Sequence, residues 1–168
     1  LLKIGDIIKS STDTNPIIMG IILGGIITVV GTAPLSSMAL TALLGLTGVP
    51  MAIGAMAAFS SAFLNGTLFH RLKLGDRKST ISVSIEPLSQ ADIVSANPIP
   101  VYVTNFFGGA AAGLIIALSG MINDATGTAT PIAGFLVMFG FNSPMKVIIY
   151  GVVMAIVGGL AGFLGSLA

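Results

Sequence analysis

Long uncharged stretches alternate with short polar ones along this chain, and their lengths set the architecture. From Thr14 to Phe69 there is no charged residue. As one helix this run would extend roughly 84 Å, against a hydrocarbon core of about 30 Å. It must therefore fold back. Breaks fall at Gly31-Thr32-Ala33-Pro34 and at Gly45–Pro50, where Gly and Pro interrupt helical continuity. The pattern predicts a first span at 17–32, a shorter segment at 35–46 and a second full span at 49–68. The middle segment is too short to cross comfortably. It either re-enters or joins its neighbour as a broken helix, and such backbone is tolerated at membrane depth only where protein or a cavity surrounds it.

A second uncharged run, Ile93–Asn123, predicts a span at 101–122. The polar turn Asn123–Thr130 follows, then a short apolar segment at 131–141, a break at Asn142-Ser143-Pro144 and a final span at 145–167. At the other end, Leu1–Ser10 sets Leu1, Ile4, Ile7 and Ile8 on one helical face, away from Lys3, Asp6 and Lys9. That is either an amphipathic helix lying at the interface or the trailing end of a longer helix. Asp13 or Asn15 can cap the helix that follows, with Pro16 at its first position.

Composition turns this pattern into a membrane assignment. Of 168 residues, 54% are hydrophobic and 8% charged, and mean hydropathy is +1.03. A soluble domain carries about 25% charged residues, and so few charges could not cover a soluble surface. The fold class expected is all-α: a polytopic transmembrane helical bundle with broken or re-entrant helices, forming a single transmembrane domain over 1–168. The chain opens on Leu1-Leu2-Lys3 and stops within an apolar run, so it is expected to be part of a longer protein. A net charge of +1 removes the electrostatic basis for binding nucleic acid. There is no Cys, hence no disulfide, thiolate zinc site or cysteine nucleophile within the chain. One His and scattered carboxylates suggest no metal site. Nothing in the sequence suggests a cofactor or a catalytic residue, because no GxSxG, P-loop or enzyme-spaced carboxylate pair occurs.

Two parts of the chain look alike, 11–69 and 93–168, joined by 70–100. Asn15-Pro16-Ile17 recurs as Asn97-Pro98-Ile99, Gly24-Gly25 as Gly108-Gly109, and Pro50-Met51 as Pro144-Met145. The order is kept while the spacing drifts, so the choice is between an internal repeat and a coincidence among common membrane residues. Repeats in transporters place substrate at broken helices near the midplane. Gly20/Gly24, Gly109/Gly113 and Gly158/Gly162 are GxxxG pairs, which let helix backbones approach closely.

The joining region holds the candidate chemistry. Arg71, Lys73, Arg77 and Lys78, four of the seven basic residues, lie within His70–Lys78. That places the loop on the cytoplasmic side; binding of anionic lipid or a cytosolic partner is the other use of such a loop. Ser79–Pro100 is the longest polar interruption and carries Glu86, Gln90, Asp92 and Asn97. A carboxylate inside a membrane is costly unless paired, and it can accept hydrogen bonds from hydroxyl groups. Ile81, Val83 and Ile85 alternate with Ser82, Ser84 and Glu86, which suits a short extended segment with one wet face. Part of this stretch is expected to dip into the protein, with Glu86 sheltered there. The bland alternative is a carboxylate on a solvated loop. Asn97-Pro98-Ile99-Pro100 is a rigid entrance that avoids regular helix. Asn105 lies within a span, where its amide needs a hydrogen-bond partner. His70 sits at a helix end beside Arg71, either interfacial or binding; Asn65 is a similar case. The substrate-binding set expected is Glu86, Asp92, Asn97, Gln90, Asn105 and His70.

The stretch from Phe69 to Gly109, HRLKLGDRKSTISVSIEPLSQADIVSANPIPVYVTNFFGG after the Phe, resembles the membrane-embedded EIIC component of bacterial phosphotransferase-system (PTS) permeases. It is most similar to the divergent EIIC-like branch that includes PfoR-type regulatory membrane proteins. The likeness extends across the chain, as roughly the C-terminal half of such a protein. In the glucose-type members a Gly-Ile-Thr-Glu-Pro motif supplies a Glu that hydrogen-bonds sugar hydroxyls. Here Glu86-Pro87 matches, Ser84 and Ile85 stand where Ile and Thr would be, and the glycine is absent. The resemblance implies sugar binding by Glu86, a permease that is not itself an enzyme, a separate EIIB component that phosphorylates the sugar, a homodimer, and a multi-pass place in the bacterial inner membrane. The alternatives are a membrane-embedded regulator or sensor that keeps the fold without transport, and a channel-like oligomer.

Overall fold

The computed structural model describes residues 6, 7, 10, 15–33 and 36–167; the segment expected to be amphipathic over Leu1–Ser10 falls for the most part outside them. Helices make up the regular structure of the described residues: α1 (Pro16–Thr32), α2 (Ser37–Leu43), α3 (Gly48–Leu72), α4 (Arg77–Ile85), a 3-10 turn (Pro87–Gln90), α5 (Ala91–Ala96), α6 (Pro98–Ser119), α7 (Pro131–Val137) with a 3-10 turn (Met138–Gly140), and α8 (Pro144–Ser166).

Proline fixes where four of these begin. Pro16, Pro98, Pro131 and Pro144 each open a helix. At that position the missing N–H costs nothing, because the first turn has no internal partner for it, and φ is preset. Side chains complete the starts: Asn15 accepts from the Ile17 N–H at 2.8 Å and Ser143 from that of Lys146 at 3.4 Å. The spans read from hydropathy therefore reappear with their ends moved by only a few residues. The Asn97-Pro98-Ile99-Pro100 entrance differs from expectation: it is the first turn of α6 itself, where prolines are tolerated. α3, α6 and α8 are long and apolar enough to cross a membrane. The 17 residues of α1 span about 26 Å, just short of a full core.

Glycine contacts give the directions of the helices. A Cβ on Gly20 would meet the Gly113 carbonyl, and one on Gly24 the Gly109 carbonyl, with the reverse clashes equally severe. α1 and α6 thus touch backbone to backbone, and this pairing order makes them antiparallel. Gly158 lies on the Ser60 carbonyl and Gly162 on that of Leu64, so α3 and α8 are parallel; the Ser60 hydroxyl also donates to Met154 O at 2.8 Å. All three GxxxG pairs are spent in these two seams. The Asn123 N–H donates to Gly48 O at 3.0 Å at one end of the bundle, while Asn105 meets Asn65 further along. α6 therefore runs against α3. With α1 and α3 pointing the same way, α2 is a return segment. Residues 120–130 and α7 likewise form a hairpin entering from the Gly48 end. The two returns meet inside the bundle, where the Ser37 hydroxyl donates to Ala129 O at 2.8 Å.

The polar insert sits at the opposite end, between α3 and α6. Residues 81–86 were expected to be extended, but α4 is a helix. A six-residue alternation is weaker than the cap before it: Asp76 accepts from the Ser79 N–H at 2.9 Å and from the Ser79 hydroxyl at 3.0 Å. Val83 is buried with Leu68, Phe69, Val94 and Val101 in a small core of its own, while Ile81 and Ile85 are exposed. α4 lies back along α3, with Ser84 against Gly66.

Candidate functional site

The two returns and the polar insert converge on one place. Thr28 and Gly31 near the end of α1, Ser37 at the start of α2, Ser61 in the middle of α3, and Glu86-Pro87 after α4 line a cavity of about 20 Å³, closed by Ala129 and Pro131. That volume holds about one water molecule. Pro131 also borders a second, wider pocket of about 370 Å³ between α3, α4 and α7. Its walls include Phe59, Phe63, Thr67, Ser84 and Ile132. Phe59 is held by stacking on Phe135 at 4.2 Å between centroids and by an edge contact with Phe63 at 5.2 Å, which fixes α7 against α3.

The hydroxyl groups around the small cavity have their hydrogens engaged. Thr28 donates to Gly24 O, Ser37 to Ala129 O, and Ser61 to Ala58 O at 2.6 Å. What they turn to any occupant is lone pairs. Glu86 adds a carboxylate whose intramolecular partner is the Leu88 N–H at 3.4 Å. The cavity wall is thus rich in acceptors.

The residues singled out from sequence do not gather. Glu86 borders the cavity, yet its side chain is exposed; the sheltered carboxylate expected from sequence is corrected to one at the cavity mouth. The residue that dips inward is Pro87, which is buried. Placing a proline in the wall leaves no backbone N–H there to satisfy, and the charged neighbour stays in solvent, which avoids the cost of burying it. Asp92 is exposed on the first turn of α5. Gln90 is half-buried and donates to the Ser89 hydroxyl at 3.3 Å. Asn97 donates to Ile93 O at 2.9 Å. His70 is exposed in the last turn of α3. Asn105 is fully buried and committed to Asn65, with Nδ2-to-Oδ1 bonds of 2.8 and 3.1 Å in the two directions, and it also donates to Val101 O at 2.7 Å. Thr28, Ser37, Ser61, Phe59 and Phe63 were not singled out from sequence. Their only signal is a hydroxyl or ring within an uncharged run, shared by many residues that do nothing but pack.

Among the described residues no group of three His, Asp or Glu side chains could hold a metal ion. Hydrogen bonds from the Ser79 backbone N–H and hydroxyl hold the Asp76 carboxyl below its ordinary value of 3.8.

Compared with protein families, residues 1–168 match the one described as Phosphotransferase system, EIIC. The chain belongs to the phosphotransferase system EIIC family. This gives the helical bundle a place in the membrane and a permease-type role within that system. No curated protein and no solved structure matches the chain.

Proposed function

We propose that this EIIC chain binds a sugar or related polyhydroxy solute where the two returns meet Glu86-Pro87, and carries it across the bacterial inner membrane. The observation that supports this is the acceptor-rich wall: hydroxyls with their hydrogens spent, beside a carboxylate with one weak internal bond. Such a wall favours a ligand that donates many hydrogen bonds, as a sugar does. The adjoining pocket of about 370 Å³ falls in the size range of ligand sites, with apolar and aromatic lining and a few polar groups. Phe59 and Phe63 would pack against the C–H face of the ring while Ser84, Thr67 and Glu86 take its hydroxyls. The small cavity must open for the solute to pass, so movement of the α2 and α7 returns against the insert is part of the proposal. Phosphorylation of the solute is assigned to a separate EIIB component, which supplies the cysteine this chain lacks, and the working unit is a homodimer.

Uptake of labelled sugars into proteoliposomes containing the full protein tests the proposal, wild type against Glu86→Gln. Losing one acceptor from a charged pairing costs about 1.5–3 kcal/mol, so uptake at subsaturating sugar should fall at least tenfold. Undiminished uptake in Glu86→Gln would remove Glu86 from the site. The cavity's closure and the incomplete Gly-Ile-Thr-Glu-Pro pattern favour a second reading, a regulator or sensor with the EIIC fold; saturable sugar binding with no uptake would select it. Ion conductance without saturable binding would point instead to a channel.

A further inference from the structure

A wide apolar concavity lies away from the polar cleft. It is an open groove of about 720 Å³ between the outer faces of α6 and α8. Ile99, Val103 and Phe107 form one wall, Leu160 and Leu164 the other, and Gly108 lies within it. The walls are exposed, with Ile99 at 75% and Phe107 at 68%. The groove follows α6 from Ile99 to Ala111, about 18 Å of helix. Half of a bilayer core is about 15 Å. The groove therefore has about the length of one leaflet.

One end of the groove is cationic. Leu72 lines it, and Arg71 lies beside Leu72 at the end of α3. The Arg71 Nε donates to the Ser166 hydroxyl at 2.6 Å, and its guanidinium carbon lies 4.3 Å from the centre of the Phe163 ring. Both contacts pull the side chain across to α8, next to Leu164 and Gly165 of the groove. The guanidinium has further donors on its two amino groups. His70, Lys73, Arg77 and Lys78 lie in the same short segment, whose one carboxylate, Asp76, is engaged in capping α4.

We propose that this groove holds an acyl chain of an anionic phospholipid whose phosphate lies on Arg71, with Lys73 nearby. Groove length matches one leaflet, apolar walls match the chain, and the positive charge stands at the depth where a headgroup would lie. The fixed guanidinium supplies a fork suited to phosphate.

Native mass spectrometry of the full-length protein, supplied with equal phosphatidylglycerol and phosphatidylcholine of the same chains, tests this. One phosphatidylglycerol should be retained in preference. Arg71→Gln should cut that preference about fivefold, the effect of one basic residue near an anionic surface. Ala111→Phe should displace both lipids, and Lys146→Gln, remote from the groove, should leave retention unchanged. Raising salt on the wild type reads the same charge without any substitution: retention of phosphatidylglycerol should fall and that of phosphatidylcholine should not. Equal retention of the two lipids at low salt would overturn the proposal. So would an Ala111→Phe variant that separates a dimer while lipid retention stays the same, since the groove would then seat a second copy.

Discussion

Asn65 and Asn105 face each other between α3 and α6, both at 0% exposure, and the structure makes the two halves of this pair unequal. Replacing Asn105 by Leu strips Asn65 of both its side-chain bonds, the Nδ2 bond it accepts and the one it donates. Replacing Asn65 by Leu leaves Asn105 its bond to Val101 O at 2.7 Å. An orphaned buried amide costs about 1–3 kcal/mol. Asn105→Leu should therefore cost about 2 kcal/mol and Asn65→Leu about 1 kcal/mol. The double substitution places two apolar groups of similar shape together and should cost no more than Asn105→Leu alone. The expected coupling is about 1–2 kcal/mol, above the average of about 0.6 for one inter-helix bond in a membrane, because two bonds are shared. Equilibrium unfolding in mixed micelles, run on the wild type and three variants, measures each term. Strictly additive costs, or a larger cost for Asn65→Leu, would refute the reciprocal clasp.

Gly158 and Gly159 are neighbours with opposite expected fates. A Cβ at 158 meets the Ser60 carbonyl, a backbone atom that cannot swing away, while at 159 nothing lies within 4 Å. Gly158→Ala should destabilise by about 1–3 kcal/mol, and Gly159→Ala should be neutral or stabilise by up to about 1 kcal/mol through helix propensity; comparing the unfolding midpoints of the two variants checks both. Gly24→Leu should open the α1–α6 seam, and faster disulfide crosslinking of cysteines placed across it would be the wrong direction for this reasoning. The Asp76 cap has a signed pH dependence. Its folded pKa is depressed, so its contribution is present above the unfolded value of 3.8 and lost as pH falls through the lower folded value. Hydrogen exchange at the Ser79 amide should stay slow down to about pH 4 and lose protection below that; Asp76→Asn should keep protection at both ends because Asn also caps, and protection that fades already near pH 6 would contradict the assignment.

The sequence by itself determined the apolar helices and, to within a few residues, their ends. Uncharged run length sets how many helices fit a bilayer, and Pro16, Pro98, Pro131 and Pro144 mark starts because a proline N–H is not missed in a first turn. It also pointed to tight packing through three GxxxG pairs, since a missing Cβ is visible in one dimension. What it could not decide was which glycine meets which carbonyl. That pairing depends on contacts between residues 85 or more apart, such as Gly24 with Gly109, and only it reveals that α1 opposes α6 while α3 and α8 run together. The same limit governs the site. Glu86-Pro87 stood out because a charge is rare in this chain, yet tertiary structure turned the carboxylate to the mouth and the proline inward. Asn105 stood out as a polar residue in a span, and folding spent it on Asn65. The hydroxyls of Thr28, Ser37 and Ser61 carried no distinguishing signal, because whether a hydroxyl faces a cavity or a neighbouring helix is settled only when separate segments meet.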